Sequence, residues 1–200
     1  MTGIIDYGVG NLHSVSKALA ALGIESRIVS RGDEFAQCDR LILPGVGAYP
    51  DAIEAIEPLK RDVLRAAADG MPLMGICLGM QMLFEHSDEC GGADGLGLLP
   101  GCVKRFPQEL IVPHMGWAPL YDMRGDLFTG VKRMDAYFVH SYYCPVGDFT
   151  AARARHSDAS GNIVVDFSAA VQQGHVMGTQ FHPEKSGRQG LELLRNFANV

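Results

Sequence analysis

The stretch "PLMGICLGMQ" (residues 72–81) places a short apolar run and a cysteine directly before residues that favour a helix. Gly70 and Pro72 bound the apolar run as a buried strand, and the good helix formers in "LGMQMLFE" predict a helix after it. Cys77 then lies at a tight turn between the strand and the helix. This strand–turn–helix pattern is typical of an α/β protein with a parallel sheet.

Upstream of this unit, β-rich runs alternate with helical patterns. The predicted strands are "GIIDY", "IESRIVS" and "DRLILPG", and the predicted helices are "NLHSVSKALAALG" and the region from Ala48 to Asp69. In the first helix, Asn11 can cap the start and Gly23 suits the end. The order predicts βαβαβ, and therefore a parallel sheet with helices on its faces.

Downstream, the pattern changes at a segment rich in Gly and Pro, from Gly91 to Pro113, which predicts loops and short antiparallel strands. The next predicted strands are "AYFVHSYY", "TAARARHS", "NIVVDFSAAVQQG" and "HVMGTQFHPE". A final helix, "GRQGLELLRNFANV", places Leu191, Leu194 and Phe197 on one face. We expect a single domain over residues 1–200, because this length suffices for one well-buried core.

Composition narrows the classes of partner. The formal net charge is −6, and no cluster of Lys and Arg offers a surface for a phosphate backbone, so we expect no nucleic-acid partner. No apolar run reaches the roughly 18 residues that span a bilayer, and Met1 to Gly10 does not resemble a signal peptide. We therefore expect a cytoplasmic protein without a membrane partner.

The five cysteines are scattered, with no CxxC pair and no histidine at the usual metal-ligand spacing. We therefore predict neither a disulfide framework nor a metal site. Four of the cysteines are expected to be buried or incidental, and six of the histidines structural or solvated. These are Cys38, Cys90, Cys102 and Cys144, and His13, His86, His114, His140, His156 and His175.

Cys77 is the exception, because a helix N-terminus favours a thiolate. Gly75 and Gly79 surround it in a G-x-C-x-G pattern, the cysteine counterpart of the G-x-S-x-G nucleophile elbow. The pattern alone fits a buried structural cysteine equally well.

The stretch "TQFHPEKS" (residues 179–186) supplies the partners that a nucleophilic cysteine needs. His182 and Glu184 are two residues apart on a segment that we predict to be extended, so both side chains would point the same way. The carboxylate could orient the imidazole while the other ring nitrogen faces a thiol. Together with Cys77 they provide a nucleophile, a base and an orienting group.

The stretch "LPGVGAY" (residues 43–49) contains two glycines, Gly45 and Gly47, that let backbone amides turn toward a bound carbonyl. An ordinary βα turn explains the same residues. No GxGxxG fingerprint is present here or in "DYGVGNLHS", so we predict no nucleotide cofactor, and no cofactor of any kind.

Taken together, "GICLGMQ", "TQFHPEKS" and "LPGVG" resemble the class I, triad-type glutamine amidotransferases. The resemblance implies a flavodoxin-like α/β fold with a central mixed, mostly parallel sheet flanked by helices, and a smaller antiparallel sheet. Within that family, "IIDYGVGNLHSV", "VPHMGW" and "YFVHSYY" are similar to the glutaminase subunits of imidazole glycerol phosphate synthase. The similar segments cover most of the chain.

The resemblance also implies roles for individual residues. Cys77 would attack the side-chain amide of L-glutamine, His182 would relay protons, and Glu184 would orient His182. The residues implied to bind glutamine are Gly45, Gln81, Glu89, Ser141 and Tyr142. The backbone N–H groups implied to form the oxyanion site are those of Leu78 and of Val46 or Gly47, in a loop that must rearrange before it acts.

The implied partner is a (β/α)₈-barrel cyclase subunit, with which the chain would form a heterodimer and to which it would pass ammonia through a channel. Met115, Trp117 and Tyr137 would lie near that interface. Ala118 stands where the family commonly has Asn, which suggests that a hydrogen bond across the interface is missing. Three alternatives stay open: a glutaminase that supplies ammonia for the amination of surface-polysaccharide sugars, another cysteine hydrolase on the same fold, and a non-catalytic domain.

Overall fold

The elements on either side of Cys77 follow the predicted order. The computed structural model describes residues 1–200. The first helix begins where Asn11 accepts a hydrogen bond from the Ser14 backbone N–H, and it ends before Gly23, whose φ of 70° suits glycine. The elements of this half are β1 (Thr2–Ile5), α1 (Leu12–Ala21), β2 (Ser26–Val29), β3 (Arg40–Gly45), α2 (Tyr49–Ala68), β4 (Leu73–Cys77) and α3 (Leu78–Gln81).

The second half consists mostly of strands, as predicted, and closes with a helix. Four 3₁₀ turns, at Gly32–Gln37, Glu89–Gly91, Asp126–Phe128 and Pro183–Lys185, connect elements along the chain. The remaining elements are β5 (Phe84–Ser87), β6 (Ala93–Asp94), β7 (Leu99–Arg105), β8 (His114–Pro119), β9 (Asp135–His140), β10 (Tyr142–Tyr143), β11 (Thr150–Ser157), β12 (Val164–Gln173), β13 (Val176–Thr179) and α4 (Gly187–Ala198).

A seven-stranded sheet with the order β11-β12-β13-β4-β3-β1-β2 organises the molecule. The strands from β13 to β2 are parallel, and β12 and β11 continue the sheet in antiparallel fashion. The expected mixed, mostly parallel sheet is therefore confirmed. None of the helices combines the length and the apolar character that crossing a membrane requires.

Alternating apolar side chains of the central strands feed two cores, one on each face of this sheet. Ile4 and Ile42 belong to a cluster of 28 buried residues, whereas their neighbours Ile5 and Leu41 belong to a second cluster of 26. Helices α1 and α4 pack on the first cluster, and α2 packs on the second. Each fully buried Leu or Ile contributes roughly 1.5–3 kcal/mol by leaving water.

The prediction of a helix through "LGMQMLFE" is wrong beyond Gln81. Strand β5 begins at Phe84, only three residues after α3 ends. The carbonyl groups of Met82 and Leu83 accept hydrogen bonds from the backbone of Leu96 and Leu99, so the chain pairs with a distant segment. Residues 78–84 are all buried and have no polar face, so local helix propensity gives way to this pairing.

The smaller strands form two sheets. The first has the order β10-β7-β5-β6, with β5 and β7 parallel and the other pairs antiparallel. The second pairs β8 with β9 in antiparallel fashion. The segment that was predicted to hold only antiparallel strands therefore contributes to one parallel pair, β5–β7.

Candidate active site

Three neighbouring parallel strands carry the predicted chemistry to one edge of the main sheet. Strand β3 ends at Gly45, β4 ends at Cys77, and β13 ends at Thr179, three residues before His182. Because parallel strands end at the same edge of a sheet, segments that are about a hundred residues apart in sequence meet there. This edge is where ligands usually bind in open α/β sheets.

Cys77 has the strained backbone expected of a nucleophile elbow. Its φ is 57° and its ψ is −112°, a conformation that costs a non-glycine residue about 1–3 kcal/mol. A Cβ at Gly79 would lie 1.9 Å from the carbonyl oxygen of Leu43, and one at Gly75 would lie 2.5 Å from that of Gly79. The two glycines therefore let α3 start in direct contact with the sheet.

His182 lies between Cys77 and Glu184. Its Nδ1 is 2.9 Å from Oε1 of Glu184, and the Cys77 side chain is near enough to its ring to raise the pKa of the imidazole. Since Nδ1 is held by the carboxylate, Nε2 is the nitrogen that faces the thiol. Burial lowers the pKa of His182, but the hydrogen bonds and charges of Cys77 and Glu184 outweigh it and raise that pKa to about 9.

The contact between His182 and Glu184 arises in a different way from the one predicted. Glu184 lies in the 3₁₀ turn Pro183–Lys185 and not on an extended segment, and its side chain is 1 % exposed. The turn folds the carboxylate back onto the ring. Pro183 at the first position of the turn fixes φ and has no N–H to leave unpaired.

Two further residues hold this turn. The backbone N–H of His182 donates to the carbonyl of Tyr137 at 3.1 Å, and the Tyr137 N–H donates to Oγ of Ser186 at 3.0 Å. The Ser186 hydroxyl in turn donates to the carbonyl of His182 at 2.7 Å. Sequence reasoning missed Ser186, because a serine that follows "HPEK" carries no signal of its own.

An open cleft of about 370 Å³ lies over Cys77. Most of the residues predicted to bind glutamine or to form the oxyanion site line it. The residues of its wall are Val46, Gly47, Cys77, Leu78, Gln81, Glu89, Pro113, Val139, His140, Ser141, Tyr142 and His182. The volume and the mixture of apolar and polar groups suit a small polar ligand.

Gly45 is the one predicted glutamine-binding residue that is absent from this wall. It lies at the end of β3, opposite Cys77 in the register of the sheet. A Cβ at Gly45 would lie 2.5 Å from the backbone nitrogen of Gly79. Close packing against α3 therefore explains the glycine at this position.

A pair of buried glutamines supports one side of the cleft. Nε2 of Gln81 donates to the carbonyl of Tyr142 at 2.9 Å and to Oε1 of Gln180 at 3.0 Å. Nε2 of Gln180 approaches Sγ of Cys77 at 3.9 Å. Because both donor contacts of Gln81 are made within the protein, its side-chain oxygen is the atom left for a ligand. Sequence reasoning missed Gln180, although a polar residue within an apolar run beside "HPE" is a usable signal.

Glu89 places a carboxylate at the start of helix α2. Its Oε2 accepts a hydrogen bond from the backbone N–H of Tyr49 at 3.2 Å. Burial raises the pKa of Glu89, the hydrogen bond from Tyr49 lowers it, and the charge of Asp51 raises it, with a net upward shift. A bound ammonium group would offset the cost of keeping this carboxylate charged.

Two segments of the cleft wall carry the backbone amides that are predicted to bind an oxyanion. As the first residue of α3, Leu78 has an N–H with no acceptor inside the helix. Val46 and Gly47 follow β3 directly, and Gly47 has a φ of 90°, which favours glycine. The predicted oxyanion residues therefore all line the cleft that contains Cys77.

His140 also lines the cleft, but its surroundings favour a structural role. Its Nδ1–H donates to the carbonyl of Tyr142 at 2.7 Å, and its ring packs against Phe106 and His114. Burial lowers the pKa of His140 to about 3 and that of His114 to about 4. Both rings are therefore neutral at physiological pH, which agrees with the structural role expected from the sequence.

An exposed apolar strip lies on β8, outside the cleft. Met115 is 67 % exposed and Trp117 is 60 % exposed, and the two alternate with residues that point inward. The Trp117 ring lies 6.1 Å from that of Tyr137. Ala118, the next residue of β8, is buried in the first core cluster, and the suggested loss of a hydrogen bond across an interface stays a prediction.

The coupling between Cys77 and His182 predicts a shift that NMR can detect. In Cys77→Ala, His182 loses a negatively charged neighbour that favours its protonated form, so its pKa should fall from about 9. A pH titration of the His182 imidazole signals measures this value. Cys90→Ser, which removes an exposed thiol outside the cleft, should leave the pKa unchanged. An unaltered pKa in Cys77→Ala would contradict the contact.

The sequence is similar over nearly its full length to several named proteins. Three relatives are named imidazole glycerol phosphate synthase subunit HisH. That of Geobacillus kaustophilus is 46 % identical, covering 100 % of this chain and 97 % of the relative. That of Listeria monocytogenes is 43 % identical, covering 98 % and 94 %. That of Methanothermobacter thermautotrophicus is 42 % identical, covering 100 % and 98 %.

Solved structures share the fold at lower identity. A crystal structure of a glutamine amidotransferase superposes with a TM-score of 0.75 at 22 % identity, covering 100 % of this chain and 99 % of that one. The PurLQS structure from Thermotoga maritima gives 0.74 at 22 % identity, covering 99 % and 97 %. The family model "Glutamine amidotransferase class-I" matches residues 3–200. The chain therefore belongs to the class-I glutamine amidotransferase family.

Proposed function

We propose that this chain is the glutaminase subunit of imidazole glycerol phosphate synthase and hydrolyses L-glutamine to glutamate and ammonia. The observation that carries the hydrolytic part is the contact of His182 with both Cys77 and Glu184 at the wall of a polar cleft. In this proposal Cys77 is the nucleophile, His182 is the acid and base, and Glu184 orients His182.

The first half of the reaction transfers the glutamyl group to sulfur. The Cys77 thiolate attacks the side-chain amide carbon, and a C–S bond forms while the carbonyl oxygen gains negative charge. The N–H of Leu78, with that of Val46 or Gly47, stabilises this oxyanion. The His182 imidazolium then gives its proton to the amide nitrogen, the C–N bond breaks, and ammonia leaves a glutamyl thioester.

The second half returns the enzyme to its starting state. His182 is now neutral, and it takes a proton from a water molecule that attacks the thioester carbon. The C–S bond breaks, glutamate leaves, and Cys77 is again a thiolate beside an imidazolium. Throughout both halves the buried Glu184 carboxylate keeps Nδ1 protonated and Nε2 directed at the sulfur.

Substrate recognition follows from the polar groups of the cleft. The Glu89 carboxylate would bind the α-ammonium group of glutamine, and the side-chain oxygen of Gln81 would accept a further hydrogen bond from the ligand. Ser141 and Tyr142 line the same cleft and would contribute further polar groups to the binding of the substrate. These assignments use groups that line the cleft beside Cys77.

The proposed partner is a (β/α)₈-barrel cyclase subunit that receives the ammonia and makes imidazole glycerol phosphate and aminoimidazole carboxamide ribotide in histidine biosynthesis, in the cytoplasm. Relatives that are 42–46 % identical bear the name of a subunit of that synthase, which supports this partner over a sugar-aminating one. The exposed strip of Met115 and Trp117 is the proposed docking surface. The backbone of the neighbouring Tyr137 hydrogen-bonds with His182 and Ser186. A partner that docks on this strip could therefore shift the position of His182.

The proposal is tested by measuring glutamate release by the chain alone and in the presence of the cyclase subunit. We expect slow hydrolysis by the chain alone and at least about tenfold faster hydrolysis in the complex, because docking would bring the amide of Val46 or Gly47 into place. Equal rates would contradict the proposal that the partner activates glutamine hydrolysis. The absence of hydrolysis in both samples would contradict the glutaminase itself.

Trp117→Ala tests the docking surface. Truncating an aromatic residue at the centre of an interface commonly costs about 2 kcal/mol or more, so the Kd for the cyclase subunit should rise by about thirtyfold. Isothermal titration calorimetry measures this value. Ile28→Ala, which removes an exposed apolar side chain on the edge strand β2, serves as the matched control and should leave the Kd unchanged. An unaltered Kd in Trp117→Ala would exclude the strip as the interface.

A further inference from the structure

The register of the small four-stranded sheet brings three side chains with metal-binding groups to one face. His86 on β5 lies opposite Asp94 on β6 and opposite Cys102 on β7. Residues that are paired across neighbouring strands point to the same side of a sheet. Asp88 follows immediately after β5 and reaches the same place from the start of the next turn.

The potential ligand atoms are already close together. A ring nitrogen of His86, a carboxylate oxygen of Asp88 and Sγ of Cys102 all lie within 4.8 Å of one another. The Cys102 thiol donates to Oδ1 of Asp88 at 3.2 Å, and Nδ1 of His86 is 3.0 Å from Oδ1 of Asp94. Ligands of a tetrahedral zinc ion lie about 3.3–3.8 Å apart, as bonds of 2.0–2.3 Å require. The present separations of up to 4.8 Å exceed this range by about 1 Å, so binding requires the side chains to move closer together.

We propose that His86, Asp88 and Cys102 form a zinc site, in which Asp94 orients the imidazole. One nitrogen, one oxygen and one sulfur ligand match the borderline-soft character of Zn²⁺, and water completes a tetrahedral set. A carboxylate that holds the other ring nitrogen of a ligating histidine is a common feature of zinc sites. The 42 % exposure of the His86 side chain gives the ion access from solvent.

This site departs from the sequence-based expectation that the chain has no metal site. Cys102 comes sixteen positions after His86 in the sequence, and the pairing of β5 with β7 brings the two together. Without a metal, the Cys102 thiol donates its proton in a hydrogen bond to Asp88. A bound dication would replace the thiol proton and relieve the repulsion between sulfur and carboxylate.

The site is separate from the catalytic cleft, since none of its four residues lines that cleft. It therefore does not depend on the proposed glutaminase activity. The chain also contains a useful control, because Cys90 is an exposed thiol in the adjoining turn Glu89–Gly91. Cys38 and Cys144 are buried, which leaves Cys90 and Cys102 as the accessible thiols once Cys77 has been replaced.

The test is a titration of Cys77→Ala with Co²⁺, a spectroscopic substitute for Zn²⁺, followed by displacement with Zn²⁺. We expect one Co²⁺ per chain, a thiolate-to-metal charge-transfer band in the near ultraviolet, and loss of that band on addition of Zn²⁺. Adding Cys102→Ser should abolish the band, whereas adding Cys90→Ser should retain it. Circular dichroism establishes that each variant is folded.

Two further variants test the geometry. Adding His86→Gln should weaken Zn²⁺ binding at least tenfold, and adding Asp94→Asn should weaken it by about tenfold, as measured by competition with a chromogenic chelator. The proposal would be overturned by a band that persists in the folded Cys102→Ser variant, by loss of the band in Cys90→Ser, or by the absence of any thiolate band. Zn²⁺ affinity that is unchanged in His86→Gln would also overturn it.

Discussion

Replacing Cys77 with alanine should lower glutamine-dependent synthesis by the complex at least about 10⁴-fold, because the variant has no atom that can form the thioester. The backbone amides and the glutamine-binding groups remain in the cleft, but they cannot replace the sulfur that attacks the amide carbon. The measurement is the rate of cyclase product formation with glutamine as the nitrogen source. The residual rate should match that of a sample without glutamine.

Ammonia provides the internal control for this variant. With added ammonium salt, the complex of Cys77→Ala should make product at the wild-type rate, since the proposed cyclase chemistry takes place on the partner subunit. Cys90→Ser, at an exposed thiol outside the cleft, should retain both activities. Loss of the ammonia-dependent rate in a folded Cys77→Ala complex would contradict the division of labour between the subunits.

Replacing His182 with alanine should lower the same glutamine-dependent rate by about 10²–10⁴-fold. The thiol then lacks the base that ionises it, and the leaving ammonia lacks its proton donor. In the wild-type protein, His182 stays protonated below its pKa of about 9, so kcat/KM should fall as the pH rises past that value. This falling limb should be absent from the residual activity of His182→Ala.

Glu184→Gln separates orientation from proton transfer. The factor by which the rate falls should be about ten to a hundred times smaller than in His182→Ala, because the imidazole that acts as acid and base remains in place. Without the carboxylate charge the pKa of His182 should also fall, which moves the falling limb to lower pH. A loss equal to that of His182→Ala, in a protein with unchanged thermal unfolding, would assign Glu184 a direct role in proton transfer.

The elements around Cys77 could be predicted because local patterns determine them. The apolar run of β4, the cap at Asn11 and the glycines at 75 and 79 each reflect a constraint that acts within a few residues. Helix α3 could be predicted only in part. Its early end follows from hydrogen bonds of Met82 and Leu83 with residues beyond position 95, and these are not visible in a local pattern.

The meeting of Cys77, His182 and Glu184 in one place could be predicted from the sequence, although their geometry could not. The pairing of His182 with Glu184 occurs through a 3₁₀ turn, since Pro183 starts that turn and Ser186 and Tyr137 hold it. Contacts made by backbone groups, such as that of the Val139 carbonyl with Sγ of Cys77 at 4.0 Å, have no side-chain signal. The His86 and Cys102 pair depends on strand register, which composition and spacing do not encode.

The most direct test of Cys77 as the nucleophile is covalent labelling by an electrophilic glutamine analogue, mapped by mass spectrometry of proteolytic peptides. The complex with the cyclase subunit should take up one label per chain, on Cys77, and excess L-glutamine should block it. The four other cysteines should stay unmodified. Labelling of a different cysteine, labelling of Cys77 that glutamine does not block, or no labelling in the complex would contradict the assignment of Cys77 as the glutaminase nucleophile.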